Sequence, residues 1–316
     1  MPLRRCLPGH RFLLPLRTTG SAPLKPTPSR QWADLWALTK PGVTRMSAIT
    51  AAGGAFLAPG CSLGTAIAGV FGVSLSVASA SAFNMWFERA TDPLMSRTRN
   101  RPLATGRLSP RLALAFATFL GLASLAVLAV FCNWVTVGLT ALAMFAYVLI
   151  YTPLKYRTPL ALLIGAFPGA MPPLLGWTAI TGEITAGGLA LFAILLVWQM
   201  PHFIAIALFR KAEYARAGIR CVPVVRGDTV AKLQALGWAL ALVPVSLSPS
   251  FVGVTGWLYA GVAGVLSLGF LVRTGAGLAL RNADGDVRWA RSVFLASLIY
   301  LPALIAAMAI DVLIPW

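Results

Sequence analysis

Charged residues are scarce in this 316-residue chain. They make up 11% of it, whereas about 25% is usual for a soluble globular domain. Only nine residues are acidic, histidine occurs twice, and the four cysteines have no CxxC spacing. Hydrophobic residues supply 58% of the chain. These deficits exclude an ordinary soluble domain, and the scattered cysteines are predicted to be free thiols.

Long apolar stretches are abundant, and many approach the roughly 20 residues that a helix needs to cross a bilayer. We therefore predict an all-α fold, a polytopic membrane helical bundle with about nine transmembrane helices around a central cavity. The predicted spans are 43–60, 63–88, 111–131, 134–151, 159–178, 186–208, 230–248, 251–272 and 293–314.

The first 31 residues form a separate segment, which carries arginine, lysine and several prolines but no acid. Its apolar piece, Phe12–Leu16, is too short and too interrupted by proline for a signal-peptide core. We predict a basic, disordered arm over 1–31 and a transmembrane domain over 32–316. A mitochondrial transit peptide is the alternative, and we favour the arm of a bacterial protein.

The positive charge is distributed in a regular way. All 26 lysines and arginines lie in the N-terminal region up to Arg45 or in every second predicted loop. The loops between them and the C-terminus carry none, which is the positive-inside pattern. It predicts a cytoplasmic N-terminus, a C-terminus outside, and attraction to anionic membrane lipid rather than to nucleic acid.

The stretch after the second predicted span concentrates polar chemistry. Asn84, Glu88 and Asp92 recur at intervals of four and form one stripe on a helix face. Pro93 is expected to end the helix at Asp92, so both carboxylates lie at the negative end of the helix dipole. Such a site favours a divalent cation with oxygen ligands, and Mg²⁺ usually binds together with substrate phosphates.

Basic side chains suited to phosphate surround this stretch. Three arginines occupy alternate positions: Arg97, Arg99 and Arg101. Because this spacing prevents all three from facing one ligand, we expect one or two of them to reach phosphate. Lys40, Lys155 and Arg157 are equally consistent with topology signals and with diphosphate contacts. Since only nine acids exist in the chain, we assign catalytic roles to Asn84, Glu88 and Asp92.

A second polar group follows the sixth predicted span. Arg210, Lys211 and Glu213 lie close together at a predicted helix end, where a surface ion pair is the simpler interpretation and a metal or diphosphate site the other. If this helix end meets the first, the two form the mouth of one cavity. His202 follows Pro201 inside the span, and it is either a satisfied core histidine, a haem-iron ligand or a proton carrier.

Four stretches of the chain resemble the membrane-embedded prenyltransferase superfamily, and in particular its haem-modifying branch. They are 38–45, 84–103, 151–177 with its Tyr-Thr-Pro-Leu-Lys start, and 201–218. The resemblance covers nearly everything from about residue 32 to the end. It implies transfer of a farnesyl group from farnesyl diphosphate to a vinyl group of protohaem IX (haem B), giving haem O.

The resemblance also implies residue roles. By position, the implied ligands of Mg²⁺ are Glu88, Asp92 and Glu213. The chain departs from the family pattern in two places. The family usually has Asp where this chain has Glu88, and its second motif contains more acidic residues than Lys211, Glu213 and Tyr214. His202 is the implied haem-binding residue. The implied diphosphate contacts are Lys40, Arg97, Arg101, Lys155, Arg157, Arg210 and Lys211.

Two other functions remain open at this point. One is a prenyltransferase with a quinone-type aromatic acceptor, and the other is a transporter of a lipophilic anion. The predicted outer loops hold Glu183, with Asp311 near the C-terminal end, and no cation, which favours an enzyme that is supplied from one face. Expected partners are haem B, farnesyl diphosphate and membrane lipid, with haem A synthase as a further candidate, in a bacterial inner membrane or, as the alternative, a mitochondrial one.

Overall fold

The computed structural model describes residues 28–280 and 282–314. Among them, eight helices are long and apolar enough to cross a membrane, and the chain is a multi-pass membrane protein. The remaining predicted span, 43–60, is a helix of only 17 residues, Pro41–Leu57. Residues 1–27 lie outside the described residues and a helix begins at Pro28, so the prediction of a disordered arm stays a prediction.

Helices follow one another along the chain with short connections, except for the 21 residues 89–109 between the helices Leu63–Glu88 and Pro110–Phe131. The segment Ala146–Tyr151 is a π-helix, and together with the helices on either side of it this segment makes one span, Trp134–Leu154. The helices are α1 Pro28–Leu38, α2 Pro41–Leu57, α3 Leu63–Glu88, α4 Pro110–Phe131, α5 Trp134–Phe145, α6 Thr152–Leu154, α7 Ala161–Thr181, α8 Ala186–Phe209, α9 Lys211–Arg216, α10 Val222–Val225, α11 Asp228–Phe251, α12 Trp257–Gly275 and α13 Ala283–Leu313.

Helices α7 and α8 lie at the centre of the bundle. More than half of the most apolar window of each is buried, and α8 packs against α7, α11 and α13. Helix α2 lies against α7 at backbone distance, because a Cβ added to Gly54 would come within 2.0 Å of the Pro173 carbonyl oxygen. A Cβ on Gly176 would come within 1.9 Å of the Ala51 carbonyl oxygen, so glycine is required at both contacts.

Prolines interrupt the helices that border the interior. Helix α7 contains three, α8 contains Pro201 and α13 contains Pro302. Each proline removes a backbone donor and frees a carbonyl four residues earlier. Such breaks are tolerated at membrane depth where neighbouring protein groups surround them. Between the same helices lies a cavity of about 800 Å³. The sequence predicted a central cavity, with its mouth at the two charged helix ends if these meet.

Three predicted boundaries were wrong. Helix α12 begins at Trp257, six residues after the predicted start of its span at 251, because α11 continues to Phe251. Helix α3 ends at Glu88 rather than at Asp92, which opens a short 3₁₀ turn, Asp92–Leu94. Pro93 disfavours helical backbone at Asp92, and Thr91 closes the last turn by donating its N–H to the Glu88 carbonyl at 2.9 Å. Helix α13 begins ten residues before its predicted start, because Asn282 caps it by accepting the Gly285 N–H at 2.6 Å.

Candidate active site

The cavity brings together most of the residues selected from the sequence. Its polar end is built from the segments that precede α2 and follow α3, α6 and α8, and its remaining walls are apolar and aromatic. The predicted site residues that line it are Lys40, Asn84, Glu88, Arg97, Arg101, Lys155, His202, Arg210 and Glu213.

Asn84 and Glu88 form the centre of the polar end. Both are buried, and Nδ2 of Asn84 donates to Oε1 of Glu88 at 2.5 Å, as the i, i+4 spacing on α3 predicts. Lys155 forms an ion pair with the same Glu88 oxygen. Lys40 donates to Oδ1 of Asn84 at 2.6 Å. Lysines from two distant segments therefore converge on one helix face.

Arg101 links the two carboxylates of the stripe. Its Nη1 lies 2.7 Å and 3.0 Å from the two carboxylate oxygens of Asp92 and 3.3 Å from Oε2 of Glu88. Asp92 is fully buried and does not line the cavity. Burial raises the pKa of Asp92, while the adjacent Arg101 opposes that rise. Asp92 thus supports the cavity wall through Arg101.

Lys40 is held in an unusual backbone conformation. Its φ of 47° is the one positive value at a non-glycine residue in the described parts of the chain. The left-handed turn lies immediately before Pro41, which opens α2, and it accompanies the entry of Lys40 into the cavity lining. Burial lowers the pKa of Lys40 to about 7, with further lowering by the nearby Arg101 and Arg97. An anionic ligand bound beside Lys40 would stabilise the charged form of its ammonium group.

The second polar group meets the first. Oγ of Ser96 donates to Oε1 of Glu213 at 2.9 Å, and Arg210 lies 3.4 Å from the same carboxylate. The Arg220 N–H also donates to the Lys155 carbonyl at 2.9 Å. The segments that follow α3, α6 and α8 are consequently joined at one end of the bundle. The sequence raised this meeting only as a condition, and only for the segments after α3 and α8.

Other predicted residues lie elsewhere. Lys211 forms an ion pair with Asp228 at 2.9 Å, and Arg157 is exposed and accepts a hydrogen bond from Arg220 through its backbone carbonyl. Neither residue lines the cavity. Of the three alternating arginines, Arg97 and Arg101 line the cavity and Arg99 does not.

The π-helix adds residues that sequence patterns did not single out. Tyr147 and Tyr151 both line the cavity, with ring centroids 5.3 Å apart. A Cβ on Gly165 would come within 2.4 Å of the Tyr151 ring, so this glycine makes room for it. The Tyr-Thr-Pro sequence contains Tyr151, but a change from α- to π-geometry leaves no reliable trace in hydrophobic spacing.

The donor set at the polar end fits a hard cation. Within residues 28–280 and 282–314, no three His, Cys, Asp or Glu side chains are grouped closely enough to form a complete metal cage. The nearby oxygens that line the cavity are those of Asn84 and Glu88, and Glu213 lies on the facing segment, whereas the predicted ligand Asp92 is enclosed behind Arg101. Because Mg²⁺ typically takes one or two carboxylates and completes its shell with water and phosphate, these oxygens suit it.

Comparison with known proteins places the chain in a family. Residues 47–298 match the UbiA prenyltransferase family. The chain belongs to the UbiA prenyltransferase family. Three UbiA relatives are named protoheme IX farnesyltransferase: that of Myxococcus xanthus is 46% identical over 88% of this chain and 94% of its own. That of Anaeromyxobacter sp. is 42% identical over 92% of this chain and 97% of its own. That of Sorangium cellulosum is 49% identical over 76% of this chain and 85% of its own.

Solved UbiA-family structures share the fold. A digeranylgeranylglyceryl phosphate synthase aligns with a TM-score of 0.74 at 17% identity, covering 88% of this chain and 98% of that one. A UbiA homologue from Archaeoglobus fulgidus, solved with GPP and Mg²⁺, aligns with a TM-score of 0.64 at 17% identity over 87% and 99%. The match extends over nearly the whole length of both structures.

Proposed function

We propose that this chain transfers the farnesyl group of farnesyl diphosphate to a vinyl group of protohaem IX, giving haem O. The relatives named protoheme IX farnesyltransferase support the substrate pair. One structural observation carries the chemistry: a single cavity joins a polar end rich in cations to an apolar, aromatic interior. That combination suits a substrate with a diphosphate head and a long hydrocarbon tail.

The cations bind and activate the leaving group. Lys40, Arg97, Arg101, Lys155 and Arg210 all line the polar end, where they oppose the charge that develops on departing pyrophosphate. A diphosphate competes with Glu88 for Arg101 and Lys155, which now neutralise that carboxylate. Substrate binding therefore releases Glu88 oxygens for other partners.

Magnesium is the cofactor that we assign to this end. The residues that would hold it are Glu88 with the Asn84 amide oxygen, and Glu213 from the facing segment. Asp92, which the sequence predicted as a further ligand, lies outside the cavity lining and would act through Arg101. Bound there, Mg²⁺ supplies positive charge that stabilises the departing pyrophosphate. A UbiA homologue from Archaeoglobus fulgidus solved with GPP and Mg²⁺ supports this assignment by analogy of fold.

The apolar part of the cavity protects the reaction. Ionisation leaves an allylic cation, and the electron pair of a haem vinyl group attacks it at the carbon that lost the diphosphate. Water then adds to the new cation and loses a proton, so the product carries a hydroxyl group. Tyr147, Tyr151 and neighbouring apolar walls exclude water until the new carbon–carbon bond has formed.

His202 is assigned to the haem. It is buried on α8, seven residues before the helix end at Phe209, which places it about 10 Å along the axis from that end. It lines the same cavity as Glu88. The farnesyl chain thus occupies the space between the diphosphate site and the porphyrin.

The membrane setting follows from the charge pattern. We assign the polar end to the cytoplasmic face of a bacterial inner membrane, with the N-terminus on that side and the C-terminus outside. This topology requires the 17-residue helix α2 to cross the membrane together with the eight longer helices. Farnesyl diphosphate, a charged soluble headgroup on a lipid tail, then reaches the mouth from the cytoplasm. Haem A synthase, which would consume the product, stays a candidate partner.

Mass analysis of the porphyrins tests the reaction. Membranes that contain the chain are incubated with haem B, farnesyl diphosphate and Mg²⁺, and the expected product is heavier by one farnesyl and one hydroxyl group. Membranes with Asp92→Asn serve as the control. A mass gain on a quinone-type aromatic acid, with none on haem B, contradicts the proposal and supports the other prenyltransferase activity.

A further inference from the structure

His202 is fastened to a serine on the neighbouring helix α13. Its Nδ1 lies 2.7 Å from Oγ of Ser297, and both residues are buried. The same Oγ lies 2.6 Å from the carbonyl oxygen of Phe294, three residues earlier on α13. His202 lines the cavity, whereas Ser297 is not among the lining residues. Ser297 therefore contacts the site only through the histidine.

These two contacts decide which nitrogen of His202 carries the proton. Two oxygens that approach to 2.6 Å share a proton, so the single hydroxyl proton of Ser297 is directed to the Phe294 carbonyl. Oγ must then accept from Nδ1–H of His202. Nε2 keeps an unshared electron pair, and no hydrogen bond within the described residues involves it.

Aromatic rings fix the plane of the imidazole. Trp198 stacks on it with centroids 5.0 Å apart and planes at 25°, and Phe294 lies at the same distance. Trp198 is itself tied to α13, because its Nε1 donates to the Ser297 carbonyl at 3.1 Å. Ser297 therefore holds the histidine through its hydroxyl and the stacked indole through its backbone.

We infer that Ser297 is a positioning residue that holds His202 in its Nδ1–H form, so that Nε2 ligates the iron of the haem substrate. The inference rests on the proposed function. Histidines that bind metals commonly donate their second ring nitrogen to a fixed acceptor, which orients the ring and raises its basicity. Ligation would fix the porphyrin by its iron while its vinyl edge faces the farnesyl chain.

Haem-binding spectra of the purified full-length chain test this inference. Ferric haem B and metal-free protoporphyrin IX are titrated separately, because only haem B offers iron to a nitrogen ligand. His202→Ala should lose the histidine-ligated haem spectrum, and added imidazole should restore it. Ser297→Ala should weaken haem affinity by about 10–100-fold, while protoporphyrin affinity stays unchanged. Ser297→Thr, which keeps the hydroxyl, should retain the wild-type spectrum.

Helix α13 offers a matched control. The Ser292 hydroxyl donates to the Trp289 carbonyl at 2.7 Å, the same local bond as in Ser297 but without a histidine partner. Ser292→Ala should leave the haem spectrum unchanged. An unchanged spectrum in His202→Ala, or equal loss of haem and protoporphyrin in Ser297→Ala, overturns the inference. If the wild type forms haem O but His202→Ala keeps the haem-binding spectrum of the wild type, iron ligation by His202 is refuted and the proposed function is not. If the wild type forms no haem O, the proposed function itself is refuted.

Discussion

Ser96 and Glu213 are 117 positions apart in the chain, yet Oγ of Ser96 donates to Oε1 of Glu213 at 2.9 Å. This hydrogen bond joins the segment after α3 to the segment after α8 at the mouth of the cavity. Arg210 lies beside the same carboxylate at 3.4 Å. The contact shows that the two helix ends border the same cavity.

We expect Glu213→Gln to weaken binding of farnesyl diphosphate and Mg²⁺. The amide keeps the size of the side chain but loses the negative charge that faces the mouth. The KM for farnesyl diphosphate should rise several-fold, and the Mg²⁺ concentration at half-maximal rate should rise with it. Glu183→Gln, at an exposed position, is the control and should behave as wild type. Unchanged Mg²⁺ dependence in Glu213→Gln would remove this residue from the metal site.

Asp92→Asn should abolish turnover while leaving membrane insertion intact. The partly buried Arg101 would lose its closest anion, and its guanidinium would no longer be held toward Glu88. We expect the rate of haem O formation to fall at least about 100-fold, a loss of roughly 3 kcal/mol of transition-state stabilisation.

Asp34→Asn is the matched control for that variant. Asp34 is also a buried carboxylate, and it forms an ion pair with Arg107 at 3.1 Å, but neither residue lines the cavity. Its turnover should remain near wild type when rates are corrected for the amount of inserted protein. Full activity in Asp92→Asn would discard the role of Asp92 in supporting Arg101 at the cavity wall.

Variants of Arg101 distinguish the effect of its positive charge on activity from the effect of its contact geometry. One nitrogen of Arg101 contacts both Asp92 oxygens and Glu88, an arrangement that a lysine ammonium on its shorter stem cannot reproduce. We expect Arg101→Lys to reduce kcat/KM about tenfold or more and Arg101→Gln to abolish activity. Arg99 is exposed and lies outside the cavity lining, so Arg99→Gln should have a kcat/KM close to that of the wild type. Equal losses at both positions would indicate a general charge effect.

The contact between α2 and α7 predicts a stability difference between two glycines. Gly176→Ala places a methyl group against the Ala51 carbonyl oxygen, so the helices must separate at a cost of about 1–3 kcal/mol. Thermal unfolding in detergent should occur at a lower temperature. Gly261→Ala has open space around its Cβ and should be neutral or stabilising by up to about 1 kcal/mol. The reverse order would contradict the close approach.

Much of the site could be predicted from local sequence. The i, i+4 relation of Asn84 and Glu88 follows from helix geometry, and their hydrogen bond is present in the fold. Pro93 correctly indicated a break, although α3 ends one turn earlier, because a proline has no N–H to donate to the carbonyl four residues before it, here that of Arg89, and its ring clashes with that carbonyl in a helix. The three free cysteines among the described residues, Cys61, Cys132 and Cys221, were also predicted.

By itself, the sequence determined the membrane-spanning bundle, the alternation of charge between loops and the residues that concentrate at two helix ends. These follow from hydrophobic length and from spacing along one helix, both of which are local. Only the tertiary structure decided that Arg101 contacts Asp92, that Tyr147 enters the cavity from a π-helix, and that Ser297 holds His202. These contacts join distant segments, and their geometry depends on how the helices pack.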